Sequence, residues 1–253
     1  MAVVAGVRPR WWRWRPAGLA WALWALAMLS LSATAWFDHL LRQAGRPELV
    51  QLDAGAVTVV LAVVSGATAG AVLAGRRPAH PVGWLLLAFA LLPQALGSAA
   101  EGYARYGLLA RPGALPAAGY VGVFASATFI PGLCLIGFVL LLTPTGSLPS
   151  PRWRWWAWVA AAVPALFLLS WVLGSQTVDL DQSSPSHAVP NPLAIQALAG
   201  RLQAVYGTTS PATALTMVVA AGSLVLRFRR ARGVERQQLR WLTLAAADRK
   251  SVV

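Results

Sequence analysis

Charge is what this chain has least of. Asp, Glu, Lys and Arg make up 11% of its 253 residues, against about a quarter in a soluble domain. That deficit excludes an ordinary water-soluble globule and points to a bilayer. The single cysteine, Cys134, sits inside an apolar run, so neither a disulfide framework nor a thiolate metal site is available. His39, His80 and His187 lie in different segments, and their spacing offers no metal-ligand set. Walker phosphate loops, HExxH helices, GxSxG elbows and the kinase signature set are all missing. No catalytic residue, cofactor or metal is therefore assigned.

What remains is apolar and basic. Residues of the apolar class reach 57%, and the mean hydropathy is +0.59. The formal charge of +13 would suit nucleic acid, but the charges occupy short gaps between apolar runs. Attraction to an anionic inner leaflet explains that placement, with no nucleic-acid partner. Most of the 13 tryptophans stand at the ends of apolar runs, as in an interfacial aromatic belt.

The pattern predicts an all-α fold: a polytopic membrane helical bundle of six transmembrane helices plus the truncated start of a seventh. Residues 1–16 form a basic, aromatic collar. Six spans follow at about 17–37, 54–74, 82–100, 118–142, 156–173 and 211–226, each near the roughly 20 residues a crossing needs. Ala33-Thr34-Ala35 resembles a signal-peptide cleavage site, although the run is long and contains Trp21 and Trp24, which favours a retained anchor. In the second span Gly66, Ala69, Gly70 and Ala71 suit close helix packing. Pro93 is expected to kink the third span, and Glu101 is expected to pair with Arg105 one turn on. Asn191-Pro192 reads as the cap and first residue of a short amphipathic surface helix carrying Ile195, Leu198, Leu202 and Val205. Ser210-Pro211 reads as a second such start, opening the sixth span. Residues 229–247 make a hairpin that leads into a seventh span. The closing 248–253 break the apolar pattern and read as a non-native tail, of the kind a sequencing adapter encodes.

Counting charges orients the bundle. With residue 1 inside, the inner segments hold 16 of the 21 basic residues and the outer segments five. Arg76, Arg77, Arg152, Arg154, Arg227, Arg229, Arg230 and Arg232 are then the cytoplasmic anchors, and both ends are cytoplasmic in the plasma membrane.

Candidate functional residues are few, because the span centres carry almost no ionisable groups, the usual marks of ion and proton pathways. Asp38 and His39 at the outer end of the first span, and Glu101 at that of the third, are candidates for ligand sensing. Ordinary interfacial solvation is the commoner role for such groups. A pocket is expected where these ends meet residues 174–206. Pro131-Gly132 interrupts the fourth span, and a break at membrane depth must be covered or line a cavity. This pair is the candidate hinge, though a packed kink is the commoner role for Pro and Gly in membrane helices.

Three turns carry a resemblance. They are Arg76-Arg-Pro-Ala-His-Pro-Val-Gly-Trp-Leu-Leu-Leu87, Leu140-Leu-Leu-Thr-Pro-Thr-Gly-Ser-Leu-Pro-Ser-Pro-Arg-Trp-Arg154 and Arg227-Phe-Arg-Arg-Ala-Arg-Gly-Val-Glu-Arg-Gln-Gln-Leu-Arg-Trp241. Together they resemble turns of the membrane-embedded N-terminal region of actinobacterial two-component sensor histidine kinases. His80 stands where that family usually has asparagine, and Thr145 and Ser147 replace its common Asp and Arg. The resemblance implies a signal-sensing and signal-transducing region that is homodimeric at full length. It would reach a response regulator only through a kinase part that these residues do not contain. The competing reading is a small permease or transporter component, which would show polar groups at mid-bilayer and internal repeats. A structural membrane protein is the third.

Overall fold

A computed structural model describes residues 11–52, 55–143, 146–148, 150–180 and 187–230, with side-chain surroundings from residue 16 to 224. Eight α-helices dominate the described residues: α1 (Trp11–Gln43), α2 (Ala56–Arg76), α3 (Pro81–Phe89), α4 (Gly97–Ala104), α5 (Ala118–Ala127), α6 (Phe129–Leu142), α7 (Trp153–Gly174) and α8 (Ala199–Arg230). The all-α reading holds. Five stretches are long and apolar enough to cross a membrane: Pro16–Gln43, Ala56–Arg76, Pro81–Ala110, Ala118–Leu142 and Trp153–Gly174. They match the first five predicted spans, and the sixth, 211–226, lies within α8. The hairpin at 231–247, Arg232 and the tail at 248–253 fall outside the described residues.

Helix α2 packs along both α1 and α3, α6 packs against α3 and α8, and α7 lies along α8. The core is built from small side chains. Ala20, Ala67, Ala71 and Ala74 are fully buried beside Val63 and Leu87, so the backbones approach closely, as membrane helices do. Gly70 and Gly83 set the tightest approach. A Cβ on Gly70 would lie 2.7 Å from the Leu87 amide nitrogen, and one on Gly83 2.7 Å from that of Ala74. Only part of the predicted small-residue face takes part, since Ala69 is exposed and Gly66 has nothing within 4 Å of its Cβ position. Large apolar side chains point outward instead, among them Leu29, Leu61, Trp155 and Val218. Buried hydroxyls are satisfied locally: Thr34, Ser170, Thr213, Thr216 and Ser223 each donate to a carbonyl one turn back, a bond that spares their desolvation cost.

Pro93, Pro131 and Pro211 each mark how a helix is built. Pro93 sits in a π-helical segment, Ala90–Leu96, which joins α3 to α4 without ending the rod. The wider turn absorbs the amide that proline lacks. A second π segment, Arg105–Ala110, extends the rod beyond the predicted end of the third span. The interruption of the fourth span falls at Thr128, not at Pro131-Gly132. Proline is tolerated in the first turn of a helix, where its amide would have no partner anyway, so the break falls before it and Pro131 sits in the first turn of α6. Finally, Ser210-Pro211 starts no helix. Helix α8 runs from Ala199 to Arg230 with Pro211 inside it, so the separate surface helix predicted from Asn191 does not form.

Candidate functional site

At the end of the bundle that holds Asp38 and Glu101, buried side chains tie the pieces together. Asp38, in the penultimate turn of α1, is fully buried. Its carboxylate accepts the backbone amides of Gln51 at 3.1 Å and Leu52 at 2.7 Å, fixing the loop that leads into α2. The Gln51 amide group donates to the Ser98 carbonyl at 3.0 Å, carrying that loop to α4. In the same loop Arg46 bonds Glu48, holding its carboxyl below the usual range, and also reaches the Leu109 carbonyl.

Arg105 is the main tie. Glu101 lies one turn before it and accepts its guanidinium at 2.5 Å, as the spacing predicts. The same guanidinium donates to the Leu49 carbonyl at 2.7 Å and the Leu180 carbonyl at 2.8 Å. It is 8% exposed. One planar fork therefore holds the loop between α1 and α2, α4 and the segment after α7, a geometry that a lysine ammonium lacks.

That last segment contains a structure the helical reading missed. Strands β1 (Thr177–Asp179) and β2 (Ala188–Pro190) pair antiparallel, with Val178 opposite Val189. Both valines are buried, and with Leu180 they pack on Ala104 and Val123. The alternation of Thr177, Val178, Asp179 and Leu180, exposed and buried in turn, was the available signal. Asn191 follows. Its amide donates to the carbonyls of Val172 and Ser175, and its carbonyl accepts the Leu193 amide. It is thus a cap for the end of α7, and the local turn after it is no helix start.

Between these ties lies a cavity of about 640 Å³. Gln94, Ser98 and Glu101 line it from the third rod, Ser126, Thr128, Phe129 and Ile130 from around the break in the fourth span, and Phe167 and Trp171 from α7. Thr177, Asp179 and Leu180 come from the hairpin, and Tyr206 from α8. The predicted meeting of the outer helix ends with residues 174–206 is therefore present. Of the three candidate sensing residues only Glu101 lines the cavity. Asp38 is committed to the first loop, and His39 is exposed on α1, bonded to Gln43. A smaller cavity of about 300 Å³ shares Gln94 and Ser98 with the larger one.

The candidate hinge borders the cavity. A Cβ on Gly132 would lie 3.0 Å from Pro93, and one on Gly97 2.6 Å from the Thr128 hydroxyl. The broken turn of one rod thus crosses the π segment of the other. At the opposite end of the bundle, Arg76, Arg77, Arg152 and Arg154 are exposed. There the two turns between helices touch, with the Cβ position of Gly146 2.9 Å from the His80 ring. The side chains of Arg227, Arg229 and Arg230 lie outside the described surroundings.

Comparison with protein-family profiles, with curated proteins and with solved structures gives no match.

Proposed function

We propose that the chain is the membrane-embedded sensing and transducing region of a two-component sensor histidine kinase, and that the cavity above is its ligand site. One observation carries the sensing role: the cavity wall and the outer loops share the same ties. Glu101 and Leu180 both line the cavity and both bond Arg105, which also holds Leu49. A ligand that moves either lining group alters all three segments together. The wall also includes Thr128, where the fourth span breaks beside the π segment of the third. Interrupted helices and π segments are common places for a helix to change shape.

In this reading the arginine-rich end, including Arg76, Arg77, Arg152 and Arg154, faces the cytoplasm and its anionic leaflet. Helix displacements reach it through the two touching turns at His80 and Gly146. The full-length protein acts as a homodimer and passes phosphate to a response regulator through its kinase part. The sensing reading is favoured over a permease because the span centres lack ionisable groups.

The test is the gene at its locus and its product. Codon 247 is expected to run on in frame through the rest of a seventh span into a dimerising helix pair with a phosphoacceptor histidine and an ATP-binding domain. The whole protein in vesicles should then autophosphorylate. A transporter operon with no kinase frame overturns the reading. Reporter fusions after residues 52 and 148 check the orientation, which requires the first outside and the second inside.

A further inference from the structure

We infer that the cavity takes an organic cation with an apolar body, a lipophilic ammonium or phosphonium ion, and that Asp179 meets its charge. The biological role rests on the sensing reading above; the ligand class rests on the chemistry of the wall.

Two lining residues are carboxylates, Glu101 and Asp179, and none of the lining residues is basic. Glu101 is balanced by Arg105 at 2.5 Å, and that guanidinium spends its other donors on the Leu49 and Leu180 carbonyls. Asp179 forms no salt bridge among the described residues. The wall therefore carries net negative charge, and strand geometry explains where. Val178 turns into the core while its neighbours Thr177 and Asp179 lie on the other face, at the cavity.

Four of the other lining residues are aromatic: Phe129, Phe167, Trp171 and Tyr206. Phe167 stacks on Tyr206 with centroids 4.9 Å apart. Aromatic faces attract cations and cover apolar bodies at once. An anion would face an uncompensated carboxylate. A neutral hydrophobe would strip water from Asp179 and give nothing back. The volume falls within the range of small-molecule sites.

The test uses the whole chain in nanodiscs of zwitterionic lipid. Radiolabelled tetraphenylphosphonium is the probe, corrected for empty discs, and tetraphenylborate is the anion of matching shape. Saturable uptake of the cation is expected, with no competition from the anion at the same site. Asp179→Asn should weaken binding roughly tenfold, while Asp179→Glu should restore most of it. Trp171→Leu should weaken it by about threefold. The thermal midpoint of each variant establishes that it is folded. Should Asp179→Asn fail that check, Thr177→Lys puts the opposite charge on the same strand face and is expected to abolish uptake. Absence of saturable cation binding, or unchanged binding in folded Asp179→Asn, overturns the inference. Signalling is read separately in the full-length kinase. Asp179-dependent binding beside a kinase indifferent to the cation supports the ligand class and overturns the sensing role.

Discussion

Arg105 and Glu101 pair at 2.5 Å across one helical turn, and the same guanidinium closes over the carbonyls of Leu49 and Leu180. Removing it leaves two backbone acceptors and a half-covered carboxylate without their donor. Arg105→Ala is expected to lower stability by about 3 kcal/mol. Arg105→Lys should recover the charge but only part of that loss, because an ammonium does not span three acceptors. Thermal unfolding in detergent, followed by tryptophan fluorescence, measures both.

Asn191 occupies a comparable position at the end of α7. Asn191→Ala strips the Val172 and Ser175 carbonyls and the Leu193 amide of their partner. A cost of about 1–2 kcal/mol is expected. Hydrogen exchange should show it as faster exchange in the β1–β2 hairpin and the last turn of α7, with α2 and α3 unaffected.

Gly70 and Gly83 differ from Gly66 in what a side chain would meet. Gly83→Ala drives a methyl group into the Ala74 backbone, which a packed helix pair relieves only by separating. The expected cost is about 1–3 kcal/mol. Gly66→Ala meets open space and should be neutral or slightly stabilising through helix propensity, by up to about 1 kcal/mol. Equal midpoints for the two variants would contradict the close approach of α2 and α3.

Asp38 is fully buried and bonded to two amides, so its substitution should act on structure and spare the cavity. Asp38→Ala is expected to cost about 2 kcal/mol and to speed amide exchange at Gln51 and Leu52. Tetraphenylphosphonium binding should stay within roughly twofold of wild type, since Asp38 is no part of that wall. A tenfold loss of binding in the folded variant would return Asp38 to the ligand site.

The Asp38 and Asn191 results mark where sequence reading stops. Both residues were visible as polar groups near helix ends, one taken as a sensing candidate and the other as a helix start. Asp38 accepts backbone amides 13 and 14 residues on, and Asn191 donates to carbonyls 16 and 19 residues back; no periodicity points to so distant a backbone partner. The Glu101–Arg105 pair was legible because helical spacing alone brings the two together. Its further bonds to Leu49 and Leu180 were not, because they span 56 and 75 residues. The break in the fourth span was anticipated from Pro131, yet it fell at Thr128, ahead of the helical turn that holds Pro131.

The sequence by itself determined the first five spans, their approximate limits, the all-α class of fold and the basic end of the bundle. Each depends on local composition and on the length needed to cross a bilayer, and neither requires a partner. Tertiary structure alone decided which polar groups became ties and which became cavity wall. It folded Thr177–Asp179 and Ala188–Pro190 into a hairpin, because Val178 and Val189 found a buried surface on Ala104 and Val123. It also ran α8 through Pro211, packed along α7. Such outcomes follow from contacts between residues distant in the chain, where packing overrides local propensity.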